Sequence, residues 1–226
     1  MKVALLGLGS VGRGVAQVLS NPSYGFVITA AADSKSGVVA EQGTSLNVDD
    51  VFSRKAATGK CGDAAWTADR IVKEAEYDIL VEVTPTNAQT GEPALSNIRA
   101  ALQRGKHVVT SNKGPVSIAY PELSRLAAEH NVAFLFEGTV AGAVPIINGL
   151  THGLAGNKVH QLFGILNGTC NYVLTRMEEE GLTYSQALDE ARDLGYAEAD
   201  PTYDVNGTDA AIKLVILANA VFNMGV

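Results

Sequence analysis

Met1-Lys2-Val3-Ala4-Leu5-Leu6-Gly7-Leu8-Gly9-Ser10-Val11-Gly12 opens the chain. Residues 2–6 are an apolar run of strand length, and Val15, Val18 and Leu19 recur at helical spacing behind the glycines. A strand, then G-x-G-x-x-G, then a helix is the arrangement that binds a dinucleotide. Gly7 permits the tight turn and Gly9 lets the backbone approach a pyrophosphate. Ser10 and Val11 complete the cradle, and Gly12 lets helix and strand pack closely. A second strand over residues 26–32 ends at Asp33, roughly 20 residues beyond the fingerprint, where an acidic group meets ribose hydroxyls. A carboxylate there repels a 2′-phosphate and favours NAD, yet Ser34 and Lys35 follow directly and offer that phosphate a contact, so NADP stays open.

Working outward, residues 78–83 form a continuous apolar strand suited to the middle of a parallel sheet. It ends in Thr84-Pro85-Thr86-Asn87. Ligands of doubly wound sheets gather outside the carboxyl ends of strands, which places Thr84 at the nicotinamide half of a dinucleotide. A helix over residues 93–103 closes at Gly105. The next strand, 107–110, opens onto Ser111-Asn112-Lys113-Gly114-Pro115, a turn that sets Lys113 beside the same crevice. A helix over 120–130, with Pro121 in its first turn, leads to a strand over 132–136. The expected fold is α/β: a Rossmann-type doubly wound parallel sheet over residues 1–137, followed by an α+β substrate-binding and dimerisation domain over 138–226. Residues 37–66 lack a clean period and read as an insertion carrying a short helix over 48–56.

The second domain opens on small residues, Gly138-Thr139-Val140-Ala141-Gly142-Ala143-Val144-Pro145, before an apolar helix over 146–150. Small residues suit either a domain hinge or, beside Glu137, carbonyls that hold a monovalent cation. A strand over 160–166, the turn Asn167-Gly168-Thr169 and a helix through Tyr172, Val173 and Met177 follow. Thr183-Tyr184-Ser185-Gln186 is a capping box, and Gly195 ends the helix it opens. Residues 195–213 then concentrate charge: Glu198, Asp200, Asp204, Asp209 and Lys213. Asp209 and Lys213 share one face of a helix that is otherwise almost wholly apolar, is expected to be buried, and begins behind Thr208 as N-cap. An arbitrary pair at this spacing is a structural ion pair. A lysine in a desolvated pocket with carboxylates around it is also tuned for proton transfer.

Composition bounds the rest. At 226 residues, 46% of them hydrophobic, the chain can bury one core or one large and one small domain. A net charge of −7 without a basic cluster argues against nucleic acid, and no apolar run approaches a membrane span. The amino-terminal apolar run is too short for a signal peptide, so a cytoplasmic enzyme is expected. Cys61 and Cys170 are too few for a disulfide framework and lack metal-ligand spacing. Cys170 as a covalent nucleophile is a weaker reading, since no histidine is paired with it in sequence.

Together, residues 7–12, the Asn112-Lys113 turn, Glu137-Gly138-Thr139-Val140-Ala141-Gly142, Leu166-Asn167-Gly168-Thr169-Cys170-Asn171-Tyr172 and residues 195–213 resemble homoserine dehydrogenase. That family interconverts L-homoserine and L-aspartate 4-semialdehyde with NAD(H) or NADP(H), in threonine and methionine biosynthesis. The resemblance implies Lys213 as the acid/base group, Glu198 and Asp209 as ligands of the substrate ammonium, and Lys113 as the partner lysine near substrate and nicotinamide. It further implies Gly195, Thr84 and Lys113 along the cofactor, a cation loop (Na⁺ or K⁺) at Glu137, Val140, Gly142 and Val144, and a homodimer. Asp200 and Asp204 gain no role from it and read as turn residues. Family members continue past the point where this sequence stops, which makes a truncated, non-catalytic dinucleotide-binding fragment the alternative expectation.

Overall fold

The computed structural model describes residues Met1–Val226, and the chain divides into two compact units, Met1–Thr139 and Val140–Val226. In the first, β1 (Lys2–Leu6), α1 (Ser10–Leu19), β2 (Val27–Ala32), β3 (Gly37–Val39), α2 (Val48–Thr58), α3 (Ala68–Glu74), β4 (Ile79–Glu82), α4 (Ala94–Gln103), β5 (His107–Thr110), α5 (Lys113–Glu129) and β6 (Phe134–Leu135) build one six-stranded sheet. Its order is β3-β2-β1-β4-β5-β6. That is the order of a dinucleotide-binding sheet, in which the direction of strand addition switches between β1 and β4. All neighbours run parallel except β3, which pairs antiparallel with β2.

The uniform apolarity of β1 follows from burial on both faces. Ala4 and Leu6 pack with Ile71, Leu80, Ile98 and Leu123 on one side, while Val3 and Leu5 pack with Ala16, Ile28, Phe52 and Cys61 on the other. Alternating residues of a strand point to opposite layers, so a strand covered by helices on both sides has no polar face.

Three elements differ from expectation here. β3 occupies the stretch read as an irregular insertion; three residues are too few to reveal a period. α2 runs to Thr58, capped by the Asn47 side chain at its start and by Gly59 (φ +73°) at its end. α5 begins at Lys113, not Tyr120, behind an Asn112 cap, and breaks helical geometry at Ala119 (φ −133°, ψ 23°). Pro121 donates no amide, and its ring crowds the carbonyl one turn back. Lys113 is therefore the first residue of a helix and not part of an open turn.

The second unit holds α6 (Ile146–Asn148), which passes into a π turn over Gly149–Gly153, then α7 (Gly168–Glu180), α8 (Tyr184–Asp193), α9 (Thr202–Val205) and α10 (Thr208–Phe222). α7 and α8 pack through Val173, Ala187, Leu188 and Ala191, and Arg176 grips Glu190 with two bonds of 3.0 and 2.9 Å. The Thr183–Gln186 capping box is present in both directions. The expected strand over residues 160–166 forms no ladder, because a strand needs a neighbour for its amides and carbonyls and none runs beside it within this chain. α10 also departs from expectation. Gly207 (φ +84°) is its N-cap in place of Thr208, and its buried stripe is Asp209, Ile216, Leu217 and Asn219, leaving Leu214 60% exposed.

Candidate active site

The glycine fingerprint has the geometry its sequence implies. Gly7 sits at φ +100°, and a Cβ there would lie 2.5 Å from the Val83 carbonyl oxygen. A Cβ on Gly12 would fall on the Gly7 carbonyl oxygen, while one on Gly9 would meet nothing within 4 Å. Gly9, Ser10 and Val11 are exposed, Gly9 caps α1 without a side-chain bond, and no acidic residue stands in the first turn. Amides left pointing outward at a helix start, with no carboxylate to oppose an anion, suit a pyrophosphate.

Asp33 ends β2 in a local web. Its Oδ1 accepts from the amides of Lys35 (2.8 Å) and Ser36 (3.0 Å), and Oδ2 lies 2.9 Å from the Lys55 ammonium. Burial pushes this carboxyl up, but the two amides and Lys55 outweigh it, and the net effect holds Asp33 below the usual aspartate range. Lys55 also donates to the Leu8 carbonyl at 3.1 Å, tying α2 to the glycine loop. Sequence reading missed Lys55 because it lies in the stretch taken for a surface insertion. The Lys35 side chain is exposed; its backbone amide is what engages Asp33.

The carboxyl ends of β4 and β5 are joined by a second web. The Thr84 amide (3.0 Å) and hydroxyl donate to Glu82 Oε1, and the Thr84 carbonyl accepts from the Asn112 side-chain amide at 3.1 Å. Asn112 caps α5 by accepting from the Gly114 amide at 3.2 Å, and this sets Lys113, half-buried, at the helix start. Glu82 had no place among the expected site residues. A lone acid within an apolar strand was the signal available.

In the second unit, Asp209 and Lys213 meet as expected, with 2.5 Å between Oδ2 and Nζ and side chains 4% and 14% exposed. The lysine also donates to the Leu166 carbonyl at 2.6 Å. Asn167 joins the cluster, its side-chain amide donating to Asp209 (3.0 Å) and to Asp204 (2.7 Å), and Thr169 donates to Asp204 at 3.1 Å. Asp204 is thus a member of the cluster, which corrects its reading as a plain turn residue. Two carboxylates are bridged by one amide beside one ammonium. Cys170 donates to the Asp204 carbonyl at 3.4 Å, and burial together with Asp204 and Asp209 pushes its thiol up. A thiol so placed is a poor nucleophile.

Other expected residues are more dispersed. Gly195 ends α8 at φ +76°, and Glu198 lies exposed on the following loop, outside the hydrogen-bonded cluster. Glu137 opens a 3₁₀ turn at the end of the first unit. In the second, Val140 is buried, Ala141 and Gly142 are both left-handed (φ 58°), and Val144 is 56% exposed. No group of three or more His, Cys, Asp or Glu side chains gathers anywhere as a metal site, and no helix is long and apolar enough to cross a membrane.

Two family profiles match. One described as homoserine dehydrogenase, NAD binding domain, covers residues 7–137, and one described as homoserine dehydrogenase covers 145–226. The chain is 42% identical to the homoserine dehydrogenase of Methanocaldococcus jannaschii, over 99% of its own length and 70% of the relative's. It is also 42% identical to an NAD(+)-dependent homoserine dehydrogenase of Pseudomonas canavaninivorans, over 96% and 65%. Against the Lactococcus lactis enzyme it spans 50% of the relative's length. Among solved structures, the homoserine dehydrogenase of Thermoplasma acidophilum superposes with a TM-score of 0.82 at 30% identity, over 99% of this chain and 70% of that one. A hyperthermophilic archaeal homoserine dehydrogenase in complex with NADPH gives 0.81 at 29% identity, over 97% and 69%. A sheet in dinucleotide-binding order, a buried lysine–carboxylate cluster and profile matches along nearly the whole sequence converge: the chain belongs to the homoserine dehydrogenase family.

Proposed function

We propose that the protein interconverts L-homoserine and L-aspartate 4-semialdehyde with NAD(H) or NADP(H). The observation that carries this reading is Lys213, held at 2.5 Å from Asp209 and 2.6 Å from the Leu166 carbonyl in a largely buried setting. When bound, the nicotinamide supplies the hydride acceptor or donor. The chain's residues supply the rest. Lys213, as the free amine, takes the hydroxyl proton of L-homoserine during oxidation, and the ammonium so formed returns it during reduction. Asp209 orients the ammonium and, with Glu198, binds the substrate's amino group. Lys113 contacts substrate and nicotinamide, and its charge favours the developing alkoxide.

The dinucleotide lies along Gly7, Gly9, Ser10, Val11 and Gly12, with Asp33 and Lys35 at the adenosine ribose and Thr84, Lys113 and Gly195 towards the nicotinamide. The exposed amides at the start of α1 support this placement. Either dinucleotide suits the reading: one relative is described as NAD(+)-dependent and one structure as an NADPH complex. The domain roles follow, with residues 1–137 for the dinucleotide and 138–226 for substrate, catalysis and dimerisation.

Further parts of the reading are a Na⁺ or K⁺ ion held mainly by carbonyls of Glu137, Val140, Gly142 and Val144, supported by the left-handed pair Ala141 and Gly142, and a homodimer, supported by Phe163 (86% exposed) and Ile165 (53%) in a stretch without a strand partner. A cytoplasmic place in threonine and methionine biosynthesis completes it. The test is reduction of NAD⁺ or NADP⁺ by L-homoserine at alkaline pH, alongside a coenzyme titration. Turnover supports the enzyme reading, while tight binding without turnover supports a non-catalytic dinucleotide-binding fragment.

A further inference from the structure

Glu82 is the one fully buried acid of the first unit, at 0% exposure, and no step of the proposed reaction uses it. It stands at the carboxyl end of β4, paired in register with Thr110 at the end of β5. Each of its hydrogen bonds goes to an uncharged group. Oε1 accepts from the Thr84 amide and hydroxyl. The Thr110 hydroxyl donates to the Glu82 carbonyl at 2.8 Å and lies 3.3 Å from Oε2. That same hydroxyl accepts the Asn112 amide at 2.9 Å, and Asn112 in turn binds the Thr84 carbonyl and caps α5 through Gly114. The bonds run from Glu82 to Thr84 and, through Thr110 and Asn112, to the Gly114 amide in the first turn of the helix that Lys113 opens.

Burying an acid is costly, and an apolar residue of similar length usually stabilises a core at least as well. Burial alone therefore gives no reason for a glutamate here. Burial also pushes the Glu82 carboxyl above the usual range despite the bonds from Thr84, Asn112 and Thr110. A group that resists ionisation still accepts and donates hydrogen bonds as a neutral acid.

We propose that Glu82 is a positioning residue: its side chain fixes Thr84 directly and, through Thr110, the Asn112 cap that sets Lys113 at the edge of the dinucleotide crevice. The proposal rests on reading the first unit as the nucleotide-binding part. It separates Glu82 from a space-filling residue, for which shape alone matters, and from a charge carrier, for which ionisation matters.

The test compares Glu82→Gln, which keeps the acceptor, with Glu82→Met, which keeps the length and loses it. Amide hydrogen exchange is read in the whole chain, and kcat and KM with L-homoserine are measured beside it. In Glu82→Met the Thr84 and Gly114 amides exchange about tenfold faster or more while β1 amides stay protected, and kcat drops about tenfold with a smaller change in KM. Glu82→Gln recovers both readouts to within about threefold of the parent. Thr110→Val, which removes the hydroxyl standing between Glu82 and the Asn112 amide but leaves the Thr84 bonds to Oε1 in place, speeds exchange at Gly114 and spares Thr84; this variant decides the matter if Glu82→Met does not fold. Parent-like exchange and kcat in Glu82→Met, or a Glu82→Gln variant as impaired as Glu82→Met, would overturn the proposal. Failure of the parent to oxidise L-homoserine would count against the functional reading alone, because the exchange readout still decides Glu82.

Discussion

Asp33 and Glu82 are shifted in opposite directions, and that gives them opposite effects on pH-dependent stability. Burial pushes the Asp33 carboxyl up, but the amides of Lys35 and Ser36 and the Lys55 ammonium hold it, on balance, below its ordinary value of 3.8. Its contribution is fully present above that value and is lost as the pH falls through the folded one. Lys55→Ala should move the Asp33 carboxyl back up, measurable by carbon-13 NMR titration; an unmoved resonance would show that the two amides suffice. Glu82 is raised above its ordinary 4.5, chiefly by burial. From 4.5 upward the unfolded chain releases a proton that the folded chain still holds, so this group lowers stability as pH rises. Glu82→Gln should therefore gain on the parent across that window in urea unfolding at stepped pH, and a constant difference between the two would argue that Glu82 ionises normally. The Asp209–Lys213 pair was legible from its four-residue spacing, and the glycines from theirs. Asp204, Asn167 and Lys55 were not legible as members of hydrogen-bonded webs, because each is brought to its partners by contacts that no local pattern encodes.

At the scale of elements, strands buried on both faces announced themselves. β1 is apolar from Val3 to Leu6 and β4 from Ile79 to Val81, and the caps at Thr183 and Gly195 follow local chemistry that survives any tertiary context. What escaped was set by partners distant in sequence: β3 is three residues long and exists by pairing with β2, and residues 160–166 have strand composition but no neighbour in this chain. The start of α5 was hidden because Gly114-Pro115 read as a turn and Pro121 as the first turn of a separate helix, whereas proline fits a helix's first turn and its interior at a kink. Asn112 is the residue that makes this start possible. Asn112→Ala should cost about 1–2 kcal/mol in denaturant unfolding through loss of the cap, and more if the half-buried Thr84 carbonyl is left without its donor. A loss no larger than that of an exposed asparagine would contradict the role given to this cap. Gly12→Ala should weaken coenzyme binding in a fluorescence titration, since the new methyl can be placed only by displacing the Gly7 carbonyl.

For the whole molecule, the family is secure and the assembly is a proposal. Light scattering behind size exclusion should give twice the mass of one chain if residues 160–166 pair across a two-fold axis, and Phe163→Asp should then shift the profile to monomer; a parent monomer would remove the dimer from the account. The chain spans 70% of the Methanocaldococcus jannaschii relative and 65% of the Pseudomonas canavaninivorans one, so its activity has to be measured on the chain itself. In the proposed reaction Lys213 transfers the proton while a nicotinamide coenzyme exchanges the hydride. Initial rates of NAD⁺ and NADP⁺ reduction by L-homoserine at alkaline pH, parent against Lys213→Ala with coenzyme affinity measured in parallel, address it most directly. Turnover by the parent, with a loss of about 10²–10⁴-fold in the variant and unchanged coenzyme affinity, is the predicted result; turnover by Lys213→Ala at the parent's rate would contradict it.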